Sequence, residues 1–206
     1  MKTSQGFPAG NFSTWLKQIR NTQKNNTGMD VPCGECTACC TSSFFIHIKP
    51  KEKKTINRIP KELLFPAPGL PKGNVLMGYD KNGHCPMFVN SACSIYDDRP
   101  LTCRNYDCRI FPATSINESE KEISQISQQA EKWMFDYSNE NDLSNQLAIK
   151  SAAIFIKENA KLFPSGFLPL NSTQLAIFVL KIYPVFSEGK SLSDTEKIVN
   201  EIVDAV

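Results

Sequence analysis

The stretch Cys33-Gly-Glu-Cys36-Thr-Ala-Cys39-Cys40 holds four of the eight cysteines of this chain within eight consecutive residues. The other four follow by residue 108, and residues 109–206 contain none. Thiols concentrated in this way bind metal, pair as disulfides or carry out redox chemistry. The cysteines therefore decide how the first half of the chain is organised and which chemistry is open to it.

The spacing inside this cysteine run is typical of metal ligands. Two residues separate Cys33 from Cys36 and Cys36 from Cys39, so a tight turn can bring two sulfurs to one ion. Gly34 suits the left-handed backbone that such turns often need. Zinc and iron–sulfur clusters both use this spacing. All eight cysteines are candidate metal ligands: Cys33, Cys36, Cys39, Cys40, Cys85, Cys93, Cys103 and Cys108.

Eight thiols are enough for two sites of four. A C-x2-C-x2-C opening with a separate Cys-Pro is a ferredoxin ligand pattern, and Cys85-Pro86 supplies the Cys-Pro here. This favours one group that holds an iron–sulfur cluster, with [4Fe–4S] among the options, and a second group of the remaining thiols. Zinc is the alternative metal, and spacing alone leaves the connectivity open. The two groups are Cys33/Cys36/Cys39/Cys85 and Cys40/Cys93/Cys103/Cys108.

The leading run lacks a properly spaced fourth ligand unless Cys40 bends back. The later segment, from Cys85 to Cys108, supplies the missing thiols. We therefore expect a metal to tie residues 33–40 to residues 85–108 across the chain between them.

Composition indicates the compartment. The chain of 206 residues is 41% hydrophobic and 21% charged, which is typical of a globular protein that can bury a core without disulfides. Its first residues lack the apolar segment of an export signal, and the longest apolar run, residues 175–180, is too short to cross a bilayer. We expect a cytoplasmic protein with no membrane partner, in which reduced thiols bind metal.

Charge is unevenly distributed along the chain. Residues 1–111 carry 15 Lys and Arg against 8 Asp and Glu, whereas residues 112–206 carry 8 against 13. The positive excess can indicate an anionic partner, or it can offset the charge of thiolates around a metal. Because the basic residues are scattered, we favour the second interpretation and expect no nucleic-acid partner. A protein partner stays open.

Local patterns predict an α+β protein, mainly α, in which a loop-rich cysteine module packs against a helical C-terminal part. The module spans residues 1–111 and the helical part residues 112–206, without a long flexible linker, and the two can share one core. Turn residues and hydrophobic spacing predict the elements of the module. These are a helix at 12–24 capped by Ser13, strands at 44–48 and 75–79, a short helix after Pro50, and irregular chain at 65–74.

Hydrophobic periodicity predicts four helices in the C-terminal part. The last helix follows Ser193-Asp-Thr-Glu196, which has the pattern of a capping box. The predicted helices cover residues 118–137, 142–163, 172–186 and 194–205.

Residues between Gly83 and Cys108 extend the pattern beyond cysteine. They contain Gly-x-Cys at 83–85, Cys-x-Ile-Tyr at 93–96 and Arg-Pro-x-x-Cys-Arg at 99–104. Together with the leading run, they resemble the YkgJ-type cysteine-cluster family of zinc- or iron-chelating domains over about residues 30–110. The resemblance implies a metal held by the cysteines. The same module occurs in flagellin lysine methylases with an iron–sulfur cluster, but this chain is much shorter, so their activity is not carried over.

Two arginines of the last motif invite a physical interpretation. Arg99 and Arg104 can donate hydrogen bonds near thiolates and offset their charge, or form ion pairs with nearby aspartates. The two histidines, His47 and His84, are more typical of packed residues than of ligands.

Four functions are open at this point. The favoured one is a metal-binding protein that holds an iron–sulfur cluster or zinc in a redox or accessory role. The alternatives are a structural zinc module that mediates a protein interaction, an iron–sulfur-dependent enzyme that modifies a protein or small molecule, and a secreted disulfide scaffold. The sequence contains no phosphate-binding glycine loop, dinucleotide fingerprint or H-E-x-x-H helix, and whether the chain is an enzyme is undecided.

Overall fold

Helix predominates over strand in the computed structural model of this protein. Among the described residues, 51% are helical and 12% are in strands. This confirms the predicted α+β, mainly α, class. The structure describes residues 6–25, 27–116, 124–187 and 194–206.

Seven short strands and eight helices make up the described parts of the chain. The strands are β1 (Phe7–Asn11), β2 (Ile46–Ile48), β3 (Leu64–Pro66), β4 (Val75–Met77), β5 (Phe88–Val89), β6 (Ala92–Cys93) and β7 (Trp133–Asp136). The helices are α1 (Phe12–Asn25), α2 (Lys53–Arg58), α3 (Leu101–Asn105), α4 (Ile110–Thr114), α5 (Ser124–Ala130), α6 (Glu140–Asn159), α7 (Ser172–Ile182) and α8 (Thr195–Asp204).

The chain divides into two compact units, and each is described by itself. We call them the helical unit and the thiol unit. The helical unit contains the described residues within 1–20, 108–120 and 130–206, and the thiol unit those within 21–107 and 121–129. The predicted boundary after residue 111 stays a prediction.

The helical unit is built on the mutual packing of α4, α6 and α7. Ile149 of α6, Leu180 of α7 and Ile202 of α8 are fully buried, so these helices direct apolar faces inward. A parallel pair of strands adds to this core, because β1 pairs with β7 in a register that sets Phe7 opposite Trp133.

Asp142, at the start of α6, is a buried carboxylate that anchors two helix starts. Its side chain accepts from the Asn139 backbone NH, while the Asn139 side chain accepts from the Asp142 NH, which forms a capping box. Asp142 also accepts from the Ser13 NH at 2.9 Å and from the Asn11 amide at 2.8 Å. Hydrogen bonds from Ser13 and Asn11 hold the pKa of Asp142 below its usual range.

The thiol unit is organised around a small antiparallel sheet in the order β2-β4-β3. One face of this sheet is buried, since side chains alternate along a strand. We call the buried residues of this region the isoleucine cluster: Ile46, Ile48, Ile59, Met77 and Ile95. A separate hairpin joins β5 to β6 through Asn90 and Ser91, which have φ of 51° and 61°.

Most predicted elements are confirmed, with ends that differ by a few residues in either direction. Helix α1 corresponds to the prediction at 12–24, and α6, α7 and α8 to those at 142–163, 172–186 and 194–205. Strands β2 and β4 lie within the predicted strands, and α2 follows Pro50.

Three predictions of elements and caps are wrong. The helix predicted to run to residue 137 ends at Ala130, because β7 pairs with β1, a strand that the sequence did not reveal. Part of that predicted helix, residues 118–123, lies outside the described residues. The irregular chain predicted at 65–74 begins inside β3, because β3 pairs with β4. Helix α1 is capped by Asn11 rather than Ser13, since the Asn11 side-chain oxygen Oδ1 accepts from the Thr14 NH at 3.0 Å.

The cap of α8 is partly outside the described chain. Ser193 is not described, and the Asp194 carboxylate accepts from the Lys197 NH at 3.2 Å. Among the helices of the described residues, none combines the length and apolarity that a membrane span requires.

Candidate metal centre

The first pair of cysteines lies on a hydrogen-bonded turn. The Cys36 NH donates to the Cys33 carbonyl at 3.0 Å, and Gly34 between them has φ of +56°. A left-handed φ is accessible to glycine at little cost, which explains its use here. Both cysteines are half-buried thiols. The turn predicted from the C-x2-C spacing is therefore present.

Cys39 and Cys40 lie on the 3-10 turn Ala38–Thr41. The Cys40 NH donates to the Thr37 carbonyl at 2.9 Å. Cys39 is exposed and Cys40 is half-buried, so the adjacent side chains have different surroundings, as expected. Helix α5 steadies the turn, because the Thr41 hydroxyl donates to the Gln125 side-chain oxygen at 2.6 Å.

Cys85 meets the leading run directly. Its NH donates to the Cys40 carbonyl at 2.8 Å, which joins two stretches that lie far apart in the sequence. The turn before it is set by Asp80, whose carboxylate accepts from the Asn82 NH at 2.8 Å and the His84 NH at 2.9 Å. The backbone thus joins residues 33–40 to residues 85–108 at these two cysteines, while the expected tie through a metal stays a prediction.

Cys93 is positioned by the hairpin that follows Cys85. The Phe88 NH donates to the Cys85 carbonyl at 2.9 Å, and Phe88 then pairs with Cys93 across β5 and β6. Cys85 and Cys93 thus lie at the start and end of one short hairpin.

Cys103 is carried by α3, which is fixed at its first turn. The Leu101 NH donates to the Glu52 carboxylate at 2.5 Å, and the Thr102 hydroxyl donates to the His47 carbonyl at 2.6 Å. A carboxylate at a helix start satisfies a backbone NH that has no partner within the helix. Sequence patterns alone did not identify this role for Glu52.

Four of these thiols form what we call the thiol cluster: Cys40, Cys85, Cys93 and Cys103. Three of its members pack against the isoleucine cluster. Burial raises the pKa of Cys40 to about 11, and the charges of Cys85, Cys93, Cys36 and Cys33 add to the increase.

The pKa values of Cys103 and Cys85 are raised, like that of Cys40. Burial, followed by the charges of Cys85, Cys40 and Cys93, raises the pKa of Cys103 to about 12, while the positive charge of Arg99 opposes the change. Burial also raises the pKa of Cys85, with a further contribution from Cys93. The raised pKa values of Cys40, Cys85 and Cys103 favour the protonated thiol at neutral pH.

The donor chemistry of the thiol cluster fits zinc or iron. Thiolates are soft ligands, and each must lose its proton when it binds a metal. As they stand in the described ranges, no three or more His, Cys, Asp or Glu side chains form a group that could hold a metal ion. The thiols lie in one region but do not surround a common metal position, so metal binding would require the side chains to move.

The structure mixes members of the two predicted ligand groups. Cys40 was assigned to one group, yet the charges of Cys33, Cys36 and Cys85, from the other, act on it. The predicted grouping took only sequence spacing into account, whereas the backbone pairing of Cys40 with Cys85 determines which thiols meet. All eight cysteines are thiols in the structure.

Cys108 has different surroundings from the other candidate ligands. It belongs to the helical unit and is buried there. The Trp133 indole NH donates to its sulfur at 3.1 Å. Neighbouring Arg109 is also buried, donates to the Ala9 carbonyl at 2.9 Å, and lies 5.9 Å from the centre of the Trp133 ring. Cys108 is thus integrated into the packing around Trp133.

The two histidines have structural contacts. The His47 ring nitrogen Nε2 lies 2.9 Å from the Asn74 side-chain oxygen. His84 packs edge-on to Phe88, with ring centres 5.9 Å apart.

The thiol unit is loop-rich and brings partly buried cysteines together from distant segments. Residues 32–130 match the model of the CxxCxxCC family, described as "Putative zinc- or iron-chelating domain". This confirms the resemblance to a chelating family and extends it through α5. No curated protein and no solved structure matches the chain.

Proposed function

We propose that this chain is a metal-binding protein whose central ligands are the thiol cluster. The observation that carries this proposal is that partly buried thiols from separate segments are brought together: the Cys85 NH donates to the Cys40 carbonyl at 2.8 Å, and Cys85, Cys93 and Cys103 pack against one apolar cluster. Thiols gathered in this way can lose their protons to bind zinc or iron, and the metal then cross-links the segments that carry them.

The remaining cysteines have separate roles in this proposal. Cys33 and Cys36 are further thiolates that can bind at the edge of the thiol cluster through their proximity to Cys40. Cys108 is a structural thiol, because the Trp133 indole already donates to its sulfur. Cys39 is exposed and is not needed among the central ligands.

An iron–sulfur cluster in a redox or accessory role is our first choice of cofactor. It is supported by the description of the matching family, which includes iron, and by the partial burial of the thiol cluster, since solvent exclusion and nearby charges set the potential of such clusters. Zinc, held by four thiolates, is the second choice. Either metal fits the reduced thiols of a cytoplasmic protein.

Metal analysis of protein purified without oxygen tests this proposal. We expect a brown protein with broad absorbance near roughly 400 nm and stoichiometric iron and sulfide. Cys103→Ser should lose the metal, while Cys39→Ser, a matched change at an exposed cysteine, should retain it. Full metal content in the Cys103 variant would contradict the assigned ligands, and a colourless protein with stoichiometric zinc would replace iron with zinc.

A second candidate function is a zinc module that presents the helical unit to a protein partner. Helix α6 supports it, because Leu143, Leu147 and Ile154 form one exposed apolar stripe, with Leu147 62% exposed. Leu147→Lys with Ile154→Lys should abolish capture of a partner that wild type retains. Asn200→Lys, an exposed position on α8, is the control and should leave capture intact.

A further inference from the structure

Arg99 is an unusually constrained side chain near the thiol cluster. Its Nη1 donates to the Tyr96 carbonyl at 2.9 Å, and its guanidinium carbon lies 3.9 Å from the centre of the Tyr96 ring. Its Nη2 donates to the Asp30 carboxylate at 2.5 Å. The Arg99 side chain is 13% exposed, whereas that of Asp30 is 86% exposed. Tyr96 thus holds the guanidinium in the orientation that meets Asp30.

Asp30 belongs to a short segment that docks at two further points. The Met29 NH donates to the Arg104 carbonyl at 3.1 Å. Gly28 lies directly against the Arg104 side chain, since a Cβ added at Gly28 would be 2.4 Å from the Cβ of Arg104. Residues 28–30 therefore lie along the segment that carries Cys103, and they end three positions before Cys33.

The docking surface is itself rigid. Arg104 Nε donates to the Arg99 carbonyl at 3.2 Å, and its Nη2 donates to the Asp97 carbonyl. The positive charge of Arg99 also acts favourably on an ionised Cys103. Ion pairs at a surface are usually weak because two flexible side chains must be ordered, but here Arg99 is already ordered by Tyr96.

We propose that Arg99 is a positioning residue for the metal centre, and that its ion pair with Asp30 docks residues 28–30 so that Cys33 and Cys36 lie beside the thiol cluster before metal binds. The metal part of this inference rests on the proposed function, while the docking part does not. Ligands held in place before binding lose less conformational freedom when the metal arrives. Residues that orient ligands in this way typically change metal affinity by about 10-fold to 100-fold.

Zinc affinity and thiol reactivity together test the docking. The variants are Asp30→Ala, Arg99→Gln, their combination, and Gly28→Ala, which pushes the segment off Arg104 while leaving the ion-pair residues in place. Arg58→Gln is the matched control, because Arg58 forms a more exposed ion pair with Asp98 at 3.7 Å. Zinc dissociation constants are measured by competition with a chromophoric chelator, and alkylation of each cysteine in metal-free protein is followed by mass spectrometry.

Each single variant of the docking contact should weaken zinc binding about 10-fold. Cys33 and Cys36 should be alkylated faster, with Cys85 unchanged. The Asp30/Arg99 double variant should be no weaker than the worse single variant, because both changes break one contact. Arg58→Gln should match wild type in both measurements.

Two results would overturn the inference. The first is that Cys33 and Cys36 are alkylated at the wild-type rate in both Asp30→Ala and Gly28→Ala. The second is that the fold-changes in zinc affinity of the Asp30 and Arg99 variants multiply in the double variant. Failure of the wild type to bind zinc or iron would instead contradict the proposed function, and the alkylation measurement would still decide whether residues 28–30 are docked.

Discussion

The helical unit and the thiol unit differ in the length of the elements that stabilise each of them internally. Helices α6 and α7 contain 20 and 11 residues, long enough to bury continuous apolar faces. Within the described residues, the strands and helices of the thiol unit are short; the sheet strands contain three residues each. Short elements bury little area, and such domains commonly depend on metals or disulfides. We therefore expect side-chain packing to maintain the helical unit, and the proposed metal to contribute a larger share of the stability of the thiol unit.

Metal removal should have the largest effect, and this effect should differ between the two units. Chelation should unfold the thiol unit and leave the helical unit folded, since structural zinc contributes roughly 10–16 kcal/mol in small peptides. Both tryptophans, Trp15 and Trp133, belong to the helical unit, so tryptophan fluorescence reports on that unit. Hydrogen exchange at the Cys85 NH, which donates to Cys40, reports on the thiol unit.

We expect chelation to accelerate exchange at Cys85 while the fluorescence transition keeps its denaturant midpoint. Simultaneous loss of both signals would show that the two units unfold together and would remove the proposed difference.

A substitution in the apolar core should have the next largest effect, on the free energy of unfolding. Leu180 in the helical unit and Ile48 in the thiol unit are both fully buried. Leu180→Ala should cost about 2–5 kcal/mol of unfolding free energy, from lost apolar burial and a residual cavity. Denaturant titration followed by tryptophan fluorescence measures this cost. Ile48→Ala serves as the comparison and should leave that transition in place while increasing exchange at Cys85.

Asp142 makes the stability of the helical unit sensitive to acid. Its folded-state pKa is lowered, so its contribution is complete above the ordinary carboxyl pKa and disappears as the pH falls through the lower folded value. Thermal unfolding followed by tryptophan fluorescence should show a midpoint that declines below about pH 4. Asp142→Asn should lower the midpoint at neutral pH and flatten part of the decline. An unchanged pH profile in this variant would assign the acid sensitivity to other groups.

The smallest expected effect is at the turn between the first two cysteines. Gly34 has φ of +56° and open space around its Cα, so Gly34→Ala meets backbone strain without a steric clash. The cost is about 1 kcal/mol, which corresponds to zinc binding weaker by about 5-fold if the turn is needed for binding. Zinc competition measures this change. Gly10→Ala, another left-handed glycine in open space, lies in the helical unit and should leave zinc affinity unchanged.

The amphipathic helices and the C-x2-C turn could be predicted because their signals are local. Helix α8 follows from the periodic spacing of its buried apolar residues, Ile198 and Ile202, and the turn at Gly34 follows from two cysteines and a glycine. The short strand β7 could not be predicted in the same way. Its pairing with β1 is a long-range contact, and its residues also fit a helical pattern.

Which candidate ligands share a metal stays a prediction, and their spatial neighbours could not be predicted from spacing alone. The sequence indicates eight possible ligands, whereas Cys40 and Cys85 meet only because a backbone hydrogen bond joins distant segments. The role of Cys108 beside Trp133 is invisible to spacing for the same reason. Asp30 gave no signal at all, since a single aspartate in a loop has no pattern.

The parallel pairing of β1 with β7 can form only after β7 has been synthesised. Phe7 is made early, but its partner Trp133 emerges from the ribosome on the order of 10 s later. Every cysteine of the chain is translated during that interval. The segment that contains the cysteines is therefore complete before β1 can pair with β7. The proposed metal can thus bind before the helical unit has folded.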